Sequence, residues 1–146
     1  MASSLSSDQA AAELRGKVLY IEDDPLNFAI VEAMLAYHPE VQLVHAATGL
    51  EGVSLARSER PDVVLLDMHL PDISGLEVVR ILSEDIAQGR LRVTILTADK
   101  LTMDVIKAMS LGAFEYIVKP VDARVLEAGV RRALTQRRPG PETPAG

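Results

Sequence analysis

Four short apolar runs in this 146-residue chain lead straight into residues that can do chemistry. VLYI ends on Glu22 and Asp23, VVLL on Asp67, TIL on Thr97, and YIV on Lys119 followed by Pro120. If a fold gathered these positions, three carboxylates would repel one another, each close pair costing on the order of 4 kcal/mol at an effective dielectric near 20. One lysine cannot neutralise them. A hard divalent cation can, and oxygen donors without His or Cys side chains favour Mg²⁺ over zinc. A hydrated cation, an ammonium and a hydroxyl around one carboxylate would spread positive charge over a transferring phosphoryl group. The central carboxylate, Asp67, would then be the nucleophile, and the product an aspartyl phosphate.

Singly, each residue has a plain structural explanation. An Asp at a strand end is most often an N-cap or loop residue, a Thr in ILTA a strand residue, a Lys before Pro a solvated charge. The elements that must carry them make the joint occurrence harder to dismiss. β-Branched runs at Val18–Ile21, Val41–Val44, Val63–Leu66, Val93–Leu96 and Phe114–Val118 alternate with helical patterns over 25–37, 49–59, 75–87, 102–111 and 122–136. Asp24 before Pro25 is an N-cap followed by proline at the first helical position, where its missing N–H costs nothing. Thr48-Gly-Leu-Glu51 and Ser74-Gly-Leu-Glu77 fit the capping box. In the first helix Leu26, Ile30 and Met34 fall on one face, with Val31 and Leu35 beside them.

Five strands alternating with five helices imply right-handed crossovers and a doubly wound α/β fold, its parallel sheet covered on both faces. Continuous apolar strands such as VVLL are what such a sheet requires. Groups beyond the carboxyl ends of its strands gather along one edge. Glu22, Asp23, Asp67, Thr97 and Lys119 all occupy that position. Asp62 and Asp72 do not and read as turn residues.

Composition sets the outer limits. The chain is 48% hydrophobic and 25% charged, suiting one domain, with only 3% aromatic residues, so the core must be aliphatic. The absence of cysteine removes disulfides, thiol catalysis and thiolate metal sites, and fits a cytoplasmic location. A net charge of −6 gives no electrostatic case for direct binding to nucleic acid or an anionic membrane. The apolar runs fall well short of the ~20 residues of a membrane span. No G-x-G-x-x-G or P-loop is present. Residues 1–16 read as a flexible leader, 17–136 as the domain, and the Pro- and Gly-rich 137–146 as a disordered tail.

Taken together, IEDD at 21–24, LLDMHLPDISG at 65–75, LTA at 96–98 and YIVKP at 116–120 resemble the receiver domain of bacterial two-component response regulators. The resemblance covers roughly residues 17–136. It implies the flavodoxin-like five-stranded sheet in the order 2-1-3-4-5. It also implies Asp67 as phosphoacceptor; Asp23 and Asp67 as Mg²⁺ ligands with the backbone carbonyl of His69; and Glu22 as a partner acting through water. Lys119 and Thr97 would contact the phosphoryl group, Tyr116 would report it on the partner-binding face, and small Ala98 would leave room for the donor. The Lys119–Pro120 bond is cis in the family. Glu22 replaces the more frequent Asp, and His69 places an imidazole where side chains influence water access to the phosphoryl group.

The implied partners are a histidine kinase or histidine phosphotransfer protein and a downstream protein target. A homodimer through the fourth helix, fifth strand and fifth helix is a further expectation. The chain would be a phosphoryl acceptor with slow self-dephosphorylation, not a conventional enzyme. It reads as either a stand-alone regulator or the receiver of a larger protein such as a hybrid sensor kinase. Two rivals remain. An aspartyl-nucleophile phosphohydrolase of the haloacid-dehalogenase type would usually carry a second Asp where His69 stands. A degenerate receiver would bind partners without phosphorylation, against which the intact acidic pair, Asp67, Thr97 and Lys119 argue.

Overall fold

The computed structural model describes residues 14–98 and 101–135. Its elements run β1 Arg15–Ile21, α1 Pro25–Leu35, β2 Glu40–Ala46, α2 Gly49–Ser58, β3 Val63–Asp67, α3 Gly75–Ile81, α4 Ser83–Ala87, β4 Arg92–Thr97, α5 Met103–Ser110, β5 Glu115–Val118 and α6 Ala123–Thr135. The five strands form one parallel sheet in the order β2-β1-β3-β4-β5. The doubly wound fold and its strand order are therefore as expected. β1 includes Arg15 and Gly16, which the sequence reading assigned to the leader. Leu14, also within that leader, is buried in the core, while residues 1–13, residue 136 and the tail 137–146 lie outside the described residues.

Side-chain alternation along the buried strands divides the core between the two faces. Leu19, Ile21, Val64, Leu66, Val93 and Ile95 meet Val53, Ala56, Val78, Val79, Val105 and Ala108 from α2, α3 and α5. On the opposite face Val18, Tyr20, Val63, Leu65, Leu96 and Ile117 meet Val31 and Leu35 of α1 and Leu126, Val130 and Ala133 of α6. β3 is buried along its whole length, Asp67 included. A strand in the middle of the sheet thus delivers a carboxylate to the sheet's edge.

One expectation is corrected. The helix expected over 75–87 is two segments, making six helices among the described residues in place of five. Leu82 sits at the joint with backbone angles of −91° and 6°, its side chain wholly buried. Its N–H still donates to Val78 O at 3.0 Å, so the hydrogen-bond ladder of α3 runs up to the joint. On α1 the buried stripe is Val31 and Leu35 with half-buried Met34, whereas Leu26 and Ile30 are 67% and 43% exposed. Periodicity marks both stripes as apolar, but only one faces the sheet.

The helix starts are capped where the sequence places them. Asp24 Oδ1 accepts from Leu26 N at 2.9 Å, and Thr48 and Ser74 hydroxyls accept from the N–H groups of Glu51 and Glu77 at 3.1 Å. The return bonds differ from an ideal box: Glu51 accepts from Ala47 N–H at 2.8 Å, and Glu77 turns to Arg80. No helix among the described residues is long and apolar enough to cross a membrane.

Candidate phosphoacceptor site

The strand register aligns the chemistry-bearing ends. Ile21, which precedes Glu22, pairs with Leu66; Asp67 pairs with Leu96; and Thr97 pairs with Val118, which precedes Lys119. Lys119 N–H also donates to Thr97 O at 2.7 Å, extending the β4–β5 ladder to the lysine itself. The Lys119–Pro120 bond beyond it is cis. From this anchor Lys119 Nζ lies 2.8 Å from Asp67 Oδ1 and 3.4 Å from Glu22 Oε1.

Glu22, Asp23 and Asp67 each offer a carboxylate oxygen, all within 4.8 Å of one another. Glu22 and Asp67 are buried and Asp23 is exposed, so the cluster opens to solvent on one side. Three carboxylates facing one ammonium leave excess negative charge, and an all-oxygen set of this kind suits a hard cation such as Mg²⁺. These residues could hold such an ion.

Burial pushes the Asp67 carboxyl above its usual range, and the hydrogen bond and charge of Lys119 offset this only in part; Glu22 adds to the upward push. Burial works against the Lys119 ammonium, yet the hydrogen bond and charge of Asp67, with Glu22 behind them, hold it above its usual range. The site therefore keeps a charged lysine against a carboxylate poorly compensated for its loss of water.

The other expected site residues take different places. Thr97 is buried at the end of β4, and Ala98 follows it, exposed. His69 is exposed two residues beyond Asp67. Tyr116 is not at the cluster. Within β5 it pairs with Ile95 of β4 and packs, half-buried, against the core on the α5 side. By strand alternation Thr97 shares that face with Ile95.

Several contacts went unanticipated. Tyr20, wholly buried in β1, donates from its hydroxyl to Glu22 Oε1 at 2.9 Å. Burial first, then the charge and hydrogen bond of Glu22, raise the Tyr20 phenol far above its usual range, so it remains a donor. Asp24 N–H meets Glu22 Oε2 at 3.1 Å, and His45 Nε2 lies 2.8 Å from the Glu22 carbonyl oxygen. The period-two repeat of β1 puts Tyr20 and Glu22 on one face, a signal available in the sequence. Asp72 is also more than a turn residue: its two carboxylate oxygens accept from Gly49 N and Leu50 N, at 2.8 and 2.9 Å. Gly75 marks a close approach behind the site, where a Cβ would stand 2.8 Å from Met68 Cα and 2.9 Å from Asp67 O.

An aspartate at the end of a central parallel strand, with an acidic pair after the neighbouring strand on one side and a lysine after the second strand on the other, defines a class of doubly wound domains. Residues 18–131 match the response regulator receiver domain, and the chain belongs to that family. It is similar to Protein PilH of Pseudomonas aeruginosa, with 36% identity over 118 residues, 81% of this chain and 97% of PilH. It is 38% identical over 117 residues to the transcriptional regulatory protein AfsQ1 of Streptomyces coelicolor, covering 80% of this chain and 50% of AfsQ1. The chain thus spans nearly all of one relative and about half the length of the other. Among solved structures, a response regulator receiver domain protein from Clostridium thermocellum superposes with a TM-score of 0.73 at 29% identity, covering 83% of this chain and 94% of that one. The CheY4 chemotaxis response regulator of Vibrio cholerae shares the fold at a TM-score of 0.74 and 24% identity, covering 83% of this chain and 100% of CheY4.

Proposed function

We propose that this receiver accepts a phosphoryl group on Asp67 from a phosphohistidine of a kinase or histidine phosphotransfer protein. The observation that carries the reading is the 2.8 Å contact of Lys119 Nζ with Asp67 Oδ1, set inside a cluster of three carboxylates. An Asp67 oxygen attacks phosphorus, and the new O–P bond forms as the P–N bond to the donor imidazole breaks. The electron pair returns to the ring nitrogen, which takes up a proton. Lys119, already beside that oxygen, moves its hydrogen bond to the phosphoryl group. Mg²⁺ bound by Asp23, Asp67 and the His69 carbonyl, with Glu22 acting through water, would supply positive charge to the phosphoryl oxygens.

After transfer, the Thr97 hydroxyl turns to the phosphoryl group and Tyr116 moves into the space it leaves. This biases the face formed by α5, β5 and α6 between two packings. That face, the fourth helix, fifth strand and fifth helix of the sequence reading, would dock a downstream protein or a second copy of the chain. The protein would work in the cytoplasm, where such donors are found.

Acetyl phosphate with Mg²⁺ should add one phosphoryl group to the wild type, read by intact mass, and none to Asp67→Asn. A wild type that binds Mg²⁺ yet stays unmodified would make it a degenerate receiver. Sustained hydrolysis of a generic phosphomonoester, lost in Asp67→Asn, would instead make it a phosphohydrolase.

A further inference from the structure

Glutamate at position 22 poses a problem that an aspartate would not. Its extra methylene adds a rotatable bond, and holding a longer side chain in one place costs more conformational entropy. Yet Glu22 is 1% exposed and its carboxylate is held from several directions. Oε1 receives the Tyr20 hydroxyl at 2.9 Å and faces Lys119 Nζ at 3.4 Å, while Oε2 receives Asp24 N–H at 3.1 Å. Tyr20 has little freedom of its own. It is 1% exposed, and its ring stacks on Phe28 at 5.9 Å, which stacks in turn on His45 at 4.0 Å. The His45 ring closes the circuit on the Glu22 carbonyl oxygen at 2.8 Å.

We infer that Tyr20 is a positioning residue for the cation site, which fixes the longer Glu22 carboxylate where an aspartate would need no such support. The inference rests on the proposed Mg²⁺ site. An aspartate at 22 would end about 1.5 Å short, one carbon–carbon bond, and lose the phenol's hydrogen bond. Outer partners of this kind orient the groups that serve a metal, and their removal commonly weakens binding about tenfold or more. Tyr20 touches no reacting atom, so its effect should appear in cation affinity and depend on Glu22.

The test is a double-mutant cycle on the full chain, with Mg²⁺ affinity read by calorimetry and the melting midpoint recorded beside it. Tyr20→Phe removes one oxygen and keeps the ring stack. It should weaken Mg²⁺ binding about tenfold in the wild type. In a Glu22→Asp background the same substitution should change affinity by less than about twofold, because the contact is already absent. Equal affinities for wild type and Tyr20→Phe would overturn the inference. So would an equal loss in both backgrounds, which would trace the effect to packing. A wild type that binds no Mg²⁺ would defeat the proposed cation site itself, and is thereby told apart from a failure confined to Tyr20.

Discussion

At the scale of single residues, the site is an unequal contest between carboxylates and one ammonium. Lys119 divides its hydrogen bonds between Asp67 and Glu22, and burial leaves Asp67 above its usual ionisation range despite that partner. A carboxyl raised in this way is ionised at neutral pH at the expense of the folded state. The sign is definite: the folded state holds the proton more tightly, so stability falls as pH rises from the ordinary value of 3.8 through the raised one. Asp67→Asn removes that penalty and one source of repulsion while keeping the side chain's shape. In metal-free buffer at neutral pH it should melt about 2–4 °C above the wild type, equivalent to about 1 kcal/mol for a chain of this size. Added Mg²⁺ should raise the wild-type midpoint and leave the variant's nearly unchanged. A variant that melts below the wild type without metal would show that Lys119 compensates Asp67 fully.

At the scale of elements, the turn between β3 and α3 does two jobs. Ser74 caps α3 through Glu77 N–H, while Asp72 reaches across to the start of α2. The hydrogen bond from Leu50, reinforced by that from Gly49, outweighs burial and holds the Asp72 carboxyl below its usual range. A depressed carboxyl stabilises the fold above its ordinary value near 3.8 and loses that contribution as pH falls through the lowered one. Asp72→Asn keeps one acceptor and loses the charge at a helix N-terminus. Its midpoint should fall a few degrees below the wild type at neutral pH, and the gap should close in acid. A gap that persists unchanged at low pH would mean that shape, not charge, makes the cap.

Which features were legible follows from the range of the interactions behind them. The proximity of Glu22, Asp23, Asp67 and Lys119 was legible because strand ends are local signals and the parallel sheet does the gathering. Asp72 looked like a turn residue because its partners stand 22 and 23 positions away on another element. The joint at Leu82 has no glycine or proline to announce it, only the packing of a buried leucine. For α1, the 3.6-residue period marked two apolar stripes, and only tertiary contact chose Val31 and Leu35 over Leu26 and Ile30. Tyr20 was within reach of a period-two argument, but an aromatic in a core strand ordinarily reads as packing.

At the scale of the whole molecule, the two faces of the sheet differ in what they can transmit. Asp67 ends the strand shared by both cores, while Thr97 and Tyr116 belong to the face on which α5 packs through Val105 and Ala108. In the proposed switch, a change at Asp67 passes to Thr97 on the neighbouring strand and so to the α5 side. The elements around it carry exposed apolar groups: Met103 and Ile106 on α5, Val118 on β5 and, from the opposite helical layer, Val125 on α6 are 65%, 41%, 37% and 47% exposed. Scattered apolar residues are normal on a surface. Their occurrence on three consecutive elements beside the switch is what favours an interface. A stable dimer needs roughly 800 Å² from each partner, and a single buried charge at its centre should suffice to break it. Ile106→Lys replaces an exposed side chain, so its effect on folding should stay within about 0.5 kcal/mol. Acetyl phosphate should modify its Asp67 at the wild-type rate, because the substitution lies outside the acidic cluster. With Mg²⁺ and beryllofluoride, the wild type should self-associate in sedimentation velocity while Ile106→Lys remains monomeric. A wild type that stays monomeric under those conditions, at concentrations where related interfaces close, would sink the homodimer and leave the α5–β5–α6 face to a partner of different sequence.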